Sequence, residues 1–281
     1  MKGFFMKHIQ KIISFVLLLS TQTTTPWSFT DTVSNASNNV TGWFSKQETQ
    51  SSAKEYDLLE KAGTPTPITI SNNSGNITVT TWNKKSIMVE AIKKGSEEQI
   101  KNNSFTVTIK DDAATIVATN KSADQKPGTI DFNLIIPRSS PLTIRTDTGS
   151  IHLHEGVNNS DIQTFSGSIR IENAAQNIIA RAPEGTVTIE QQTMPDQGSF
   201  LVEAKGNITF VLPTHSNANL SAKTISGKIF SDLFVTIEPI TTKLDKDAFK
   251  RMQREIKGTL GSGGIPMTLE STSGTIRILE V

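Results

Sequence analysis

One phrase returns along this chain at a near-constant pace: an alternating apolar run, a glycine, then apolar residues two and four positions later. It occurs as ITISNNSGNITV at Gly75, LTIRTDTGSIHL at Gly149, DIQTFSGSIRI at Gly167 and IIARAPEGTVTI at Gly185. It returns as FLVEAKGNITF at Gly206, LSAKTISGKIF at Gly227 and MTLESTSGTIRI at Gly274, with a half-match, GTIDF, at Gly128. From Gly128 to Gly227 the spacings are 21, 18, 18, 21 and 21 residues. A unit this short cannot close a core of its own, so the chain must bury its apolar positions against neighbouring copies of the same unit.

Two positions after the glycine stand Ile77, Ile130, Ile151, Ile169, Val187, Ile208, Ile229 and Ile276. Four positions after stand Val79, Phe132, Leu153, Ile171, Ile189, Phe210 and Ile278, with Ser231 as the exception. Before the glycine, pairs such as Ile68/Ile70, Leu142/Ile144 and Met267/Leu269 keep the same period of two. That period marks strands with one buried face, and the glycine marks a bend that a Cβ would penalise. A hairpin sandwich would need Asn-Gly or Asp-Gly turns, and neither dipeptide occurs. The expectation is an all-β, single-domain parallel β-solenoid over residues 64–281, its equivalent strands stacked about 4.8 Å apart. Gly75, Gly128, Gly149, Gly167, Gly185, Gly206, Gly227 and Gly274 are its structural glycines.

Two stretches break the pace. Between Gly75 and Gly128 the runs SIMVEAI, SFTVTI and ATIVAT read as further strands around a polar loop, KKGSEEQIKNN. Between Gly227 and Gly274 the gap is 47 residues. There Leu244, Ala248, Phe249, Met252 and Ile256 share one helical face, Asp245 or Asp247 can cap the start, and Gly258 can end it. This predicts one amphipathic helix, residues 244–258, inserted near the C-terminus as a lid on the open core end or as a partner-binding helix.

The N-terminus reads as an address. Lys2, Lys7 and Lys11 precede an apolar run from Ile12 to Leu19, the layout of a signal peptide assigned here to residues 1–23. The run is too short to span a bilayer, and no later stretch is long and apolar enough to do so. Residues 24–63 are dominated by Ser, Thr, Asn and Gln, which predicts a disordered polar tether. Export, to the periplasm, the outer membrane surface or the medium, follows from this reading.

Composition mainly excludes. Balanced charge, formally +1, argues against a broad basic face for nucleic acid. The absence of cysteine removes disulfides, thiolate metal sites and a cysteine nucleophile. Calcium-binding Gly-Gly-x-Gly-x-Asp nonapeptides are absent, as are the serine-elbow, His-Glu-x-x-His and phosphate-loop motifs. No catalytic residue, cofactor or dedicated metal site is therefore assigned.

One surface row stands out chemically. Stacking in register would bring His154, Glu172 and Glu190 into a line flanked by His152 and Arg170. Such a row could bind a divalent metal or act as an acid/base pair, but the preferred reading is a solvated ladder of ion pairs. The many outward Thr, Ser, Asn and Gln residues suit a protein or glycan ligand, or simple solvation. Open strand edges at either end could pair with another copy.

The T-x-S-G-x-I-x-I units, with Leu134-Ile-Ile-Pro137 leading into them, resemble the bacterial putative adhesin family, related to the head domain of putative autotransporter adhesins. The resemblance covers roughly residues 64–281 and implies a right-handed, β-helix-like solenoid outside the cytoplasm, with no active site. Where that family often has Gly-Asp-Ile, this chain has Gly followed by Asn, Ser, Thr or Lys. The combined expectation is a non-enzymatic, adhesin-like binding or structural protein of the cell envelope or surface. The alternatives are a carbohydrate-active enzyme on the same scaffold, or an envelope-stress regulatory component acting through the inserted helix.

Overall fold

The computed structural model describes residues 48–58, 65–110, 113–121, 128–237 and 254–281. All lie in the second of the two units into which the chain divides, Ser45–Val281. The signal segment 1–23, and the tether apart from residues 48–58 and the start of the domain, fall outside the described residues.

β1 (Glu48–Asp57) comes first, then β2 (Ile68–Ser74) and β3 (Ile77–Trp82) on either side of Gly75. β4 (Ser86–Gly95), helix α1 (Glu97–Asn102), β5 (Asn103–Lys110), β6 (Ala113–Asn120) and β7 (Thr129–Pro137) follow. Strand pairs then flank successive glycines: β8 (Leu142–Thr148) and β9 (Ile151–Leu153), β10 (Ser160–Ser166) and β11 (Ser168–Glu172). Next come β12 (Ile178–Ala182) and β13 (Thr186–Glu190), then β14 (Phe200–Ala204) and β15 (Ile208–Leu212). The chain closes with β16 (Ala218–Thr224), β17 (Ile229–Ser231), β18 (Val235–Ile237), β19 (Glu255–Leu260), β20 (Ile265–Ser271) and β21 (Ile276–Glu280).

These strands form two mixed sheets, not the single parallel β-solenoid expected. The ten-stranded sheet runs β1-β4-β7-β3-β9-β11-β13-β15-β21-β17, and the eleven-stranded sheet runs β18-β19-β16-β20-β14-β12-β10-β8-β2-β6-β5. The middle of each is parallel, while the outer pairs β1/β4, β4/β7, β5/β6, β16/β19 and β18/β19 are antiparallel. The chain also does not climb in sequence order. The Gly274 unit lies between the Gly206 and Gly227 units, because β21 pairs with both β15 and β17 and β20 with both β14 and β16. At the other end the Gly75 unit lies between β7 and β9.

The inserted helix also fails. Residues 255–258 belong to β19, which pairs antiparallel with β16, and Gly258 stands inside that strand opposite Leu220. Residues 244–253 lie outside the described residues. The four residues Gly261–Gly264 then carry the chain from β19 over the start of β16 to β20, with Asn217 Oδ1 accepting from Ser262 N at 2.9 Å. Gly261 and Gly263 have φ of +54° and +78°, the left-handed region that a hop of this kind requires.

Two smaller departures occur in the N-terminal half. β1 occupies residues read as disordered tether and pairs with β4 along its whole length. The loop KKGSEEQIKNN contains α1, the one helix among the described residues, opened by a capping box in which Ser96 and Gln99 exchange hydrogen bonds.

The core lies between the two sheets. Inward residues of the first sheet (Ile77, Val79, Ile169, Ile171, Ile208, Phe210) and of the second (Ile68, Ile70, Ile144, Ile178, Phe200) are fully or nearly fully buried. Phe200 and Phe210 meet edge-on across the layer, ring centroids 5.1 Å apart. Each such side chain contributes about 1.5–3 kcal/mol by leaving water, so the alternating pattern commits these strands to one inward face.

Candidate functional site

The bends stack as well as the strands. The carbonyl oxygen of Gly149 lies 2.2 Å from where a Cβ on Gly167 would sit, and Gly75 O lies 2.1 Å from that point on Gly149. The same close approach runs on from Gly167 to Gly185, from Gly206 to Gly274 and from Gly274 to Gly227. Glycine is needed at these bends chiefly because backbone passes where a side chain would be. Gly128 stands apart from this column. β3 pairs with β7 so that Ile77 faces Phe132, two residues beyond the pairing its motif suggests, and Ile130 O occupies the place beside Gly75.

A polar residue three positions before several of these glycines completes the bend. Thr164 Oγ1 donates to Gly149 O (2.8 Å), Ser271 Oγ to Gly206 O (2.9 Å) and Thr224 Oγ1 to Gly274 O (3.0 Å). Asn72 Nδ2 donates to Ile130 O at 2.9 Å in the equivalent place. Sequence reasoning fixed on the glycine and passed over this residue, although T-x-S-G displays it. Each bond gives a donor to a carbonyl of the adjoining coil.

With the bends aligned, outward residues at equal offsets become neighbours. His152 pairs in register with Arg170, and Glu172 with Glu190. His154 follows the end of β9, its backbone N–H donating to Val79 O at 2.8 Å. All five residues of the expected row are in contact. Glu172 is the hub: its Oε1 lies 3.0 Å from His152 Nε2 and accepts from Arg170 Nε at 3.0 Å, and its Oε2 lies 3.2 Å from His154 Nδ1. Arg170 also donates to Glu190 Oε2 at 2.6 Å. The two imidazoles lie side by side, ring centroids 3.8 Å apart.

Partial burial pushes the Glu172 carboxyl up, but hydrogen bonds from Arg170 and His152 and the charge of His152 outweigh it, so it titrates below its ordinary 4.5. The hydrogen bond to Glu172 raises the Arg170 guanidinium further above its usual range. Glu172 is therefore an ionised acceptor, the opposite of a proton donor tuned for acid catalysis.

The opposite sheet carries a second ladder, which equal-offset reading also passed over. Arg145 bonds Asp161 at 2.5 Å, Arg181 bonds Asp161 at 3.2 Å, and Arg181 bonds Glu203 at 2.8 Å. Its signal was the outward residues before each glycine. Beside the column, Asn76 Oδ1 accepts from Ser150 N (3.0 Å) and Asn207 Oδ1 from Thr275 N (2.8 Å). The residue after the glycine thus ties coil to coil with neutral amides where an aspartate would bring charge.

These features define a class: an all-β chain of two mixed sheets whose glycine bends stack and whose outward faces carry laddered polar residues. The chain belongs to the Toastrack DUF4097 family, whose sequence pattern matches residues 67–279. No curated protein matches it. Among solved structures, a putative cell adhesion protein from Clostridium sporogenes is 13 % identical, covering 83 % of this chain and 100 % of that one, with a TM-score of 0.41. A putative adhesin from Bacteroides fragilis is 11 % identical over 83 % and 97 %, TM-score 0.29. A putative lipid binding protein from Parabacteroides distasonis is 10 % identical over 82 % and 96 %, TM-score 0.21. Family membership rests on the sequence match alone.

Proposed function

We propose that this chain is an exported, non-enzymatic binding or structural module of the bacterial cell envelope or surface, presenting the outward faces of its sheets to a protein or glycan ligand. One observation carries the reading: the most chemically rich outward cluster is a mutually satisfied ladder, with Arg170 holding Glu172 and Glu190 together. Glu172 is kept ionised there, the opposite of the proton donor that glycoside cleavage requires of one carboxyl. Outward hydroxyls such as those of Thr78, Thr188 and Thr209 extend the polar surface along the same sheet. Among the described residues no helix is long and apolar enough to cross a membrane. Incubating the purified protein with a panel of envelope and host polysaccharides tests the non-enzymatic reading. Retention without new reducing ends is the expected result, and released oligosaccharide that disappears in Glu172→Gln would establish the enzyme instead.

A further inference from the structure

We propose that His152, His154 and Glu172 form a surface site for a divalent first-row transition ion, Zn²⁺ being the natural probe. Their ligand atoms all lie within 4.8 Å of one another. A tetrahedral ion with bonds of about 2.1 Å holds its ligand atoms roughly 3.4 Å apart. The spacings here, 3.0 Å from His152 Nε2 to Oε1 and 3.2 Å from His154 Nδ1 to Oε2, already approach that value. Closing on one ion requires the three ligand atoms, now within 4.8 Å of one another, to be drawn together by side-chain rotation.

The scaffold supplies the rigidity such a site needs. Ile151, Leu153, Ile169 and Ile171 are anchored in the core, so the alternating residues between and beyond them are held outward on adjacent parallel strands. Arg170 serves as a positioning residue: its Nε binds Oε1 of Glu172 and leaves Oε2 turned toward His154. Its remaining charge is met by Glu190, which lowers the repulsion an incoming cation would feel. A carboxylate oriented in this way by a neighbour is how metal sites fix their ligands. Two imidazoles with one carboxylate suit Zn²⁺, Ni²⁺ or Cu²⁺, whereas Mg²⁺ and Ca²⁺ prefer oxygen shells. The three side chains are each about a quarter to a third exposed or slightly more, so an ion reaches them from solvent and keeps an open position for an outside ligand.

Titration calorimetry of the untagged full chain with Zn²⁺ tests the site. The expected result is one equivalent bound, at least ~10-fold more weakly in His152→Ala, His154→Ala or Glu172→Gln, unchanged in His215→Ala, and uncontested by excess Mg²⁺. A readout free of variants comes from imidazole NMR, since the chain has only four histidines. Substoichiometric Ni²⁺ should broaden the His152 and His154 signals and spare His215. Absence of Zn²⁺ binding, binding that survives His152→Ala/His154→Ala, or equal broadening of His215 would each overturn the proposal.

Discussion

At the residue scale the molecule is organised by what the glycines leave out. Each bend in the column passes so close to its neighbour that a methyl group on Gly167 would meet the Gly149 carbonyl at 2.2 Å. Gly167 also has φ +152°, so Gly167→Ala combines overpacking with backbone strain. It should cost about 3 kcal/mol, read as a lower urea midpoint at unchanged slope. The hub carboxylate gives a second prediction. Glu172 has a folded pKa below its ordinary 4.5, so the stability it contributes is fully present above that pH and is lost as pH falls through the folded value. The stability difference between wild type and Glu172→Gln should therefore be largest near neutrality and shrink below pH 4.5. Chemical denaturation across pH 3–7 checks this; a difference that grows on acidification would refute it. Period-two alternation made the inward residues legible, because only one face of each strand can be apolar. It could not show that Gly128 stands outside the column, since a shift of two residues leaves every side chain on the same face. The five-residue row was readable from equal offsets, but the convergence of both histidines on one carboxylate depends on side-chain rotamers that sequence does not contain.

At the scale of elements, the chain's ends behave differently from its middle. From Gly149 to Gly206 each unit stacks on the one before it, as uniform spacing implies. The last unit does not, since β20 and β21 enter between pairs laid down earlier. Sequence could not reveal this order, because nearly every unit offers two apolar residues at the same offsets after its glycine, a surface that does not specify its neighbour. The segment read as a helix shows a related ambiguity. Glu255–Leu260 alternates in and out as a strand, yet Ile256 also fits a helical stripe drawn from Leu244, and a short apolar run satisfies both periods. Intercalation has a measurable consequence. Ile276–Ile278 of β21 are paired on both sides, with β15 and with β17, whereas β17 is an edge strand. Hydrogen exchange should show Ile276–Ile278 protected to nearly the level of β13, and Ile229–Ser231 exchanging far faster. Fast exchange throughout β21 would mean that the last unit lies at the edge. β17 and β18 also leave Phe230 and Ile237 half exposed, with Phe234 between the two strands, on the edges where pairing with another copy would begin.

At the scale of the whole molecule, the protein is a cysteine-free two-sheet scaffold, for which we propose a role outside the cytoplasm. The all-β class was legible because strand alternation and glycine bends pointed the same way. The mixed sheets were not, because four of the five antiparallel pairs join strands about twenty or more residues apart, β5 and β6 alone being close neighbours in sequence. A stack held by backbone ladders and a long inner column needs no disulfide, and its polar outward faces suit a binding surface. The central claim, that this is an exported binding or structural module, is tested most directly by fractionating cells that express the full chain, with protease shaving of intact cells. The account predicts the chain in the envelope or surface fraction, shortened by loss of its N-terminal segment. An intact, full-length chain confined to the cytosol would contradict it.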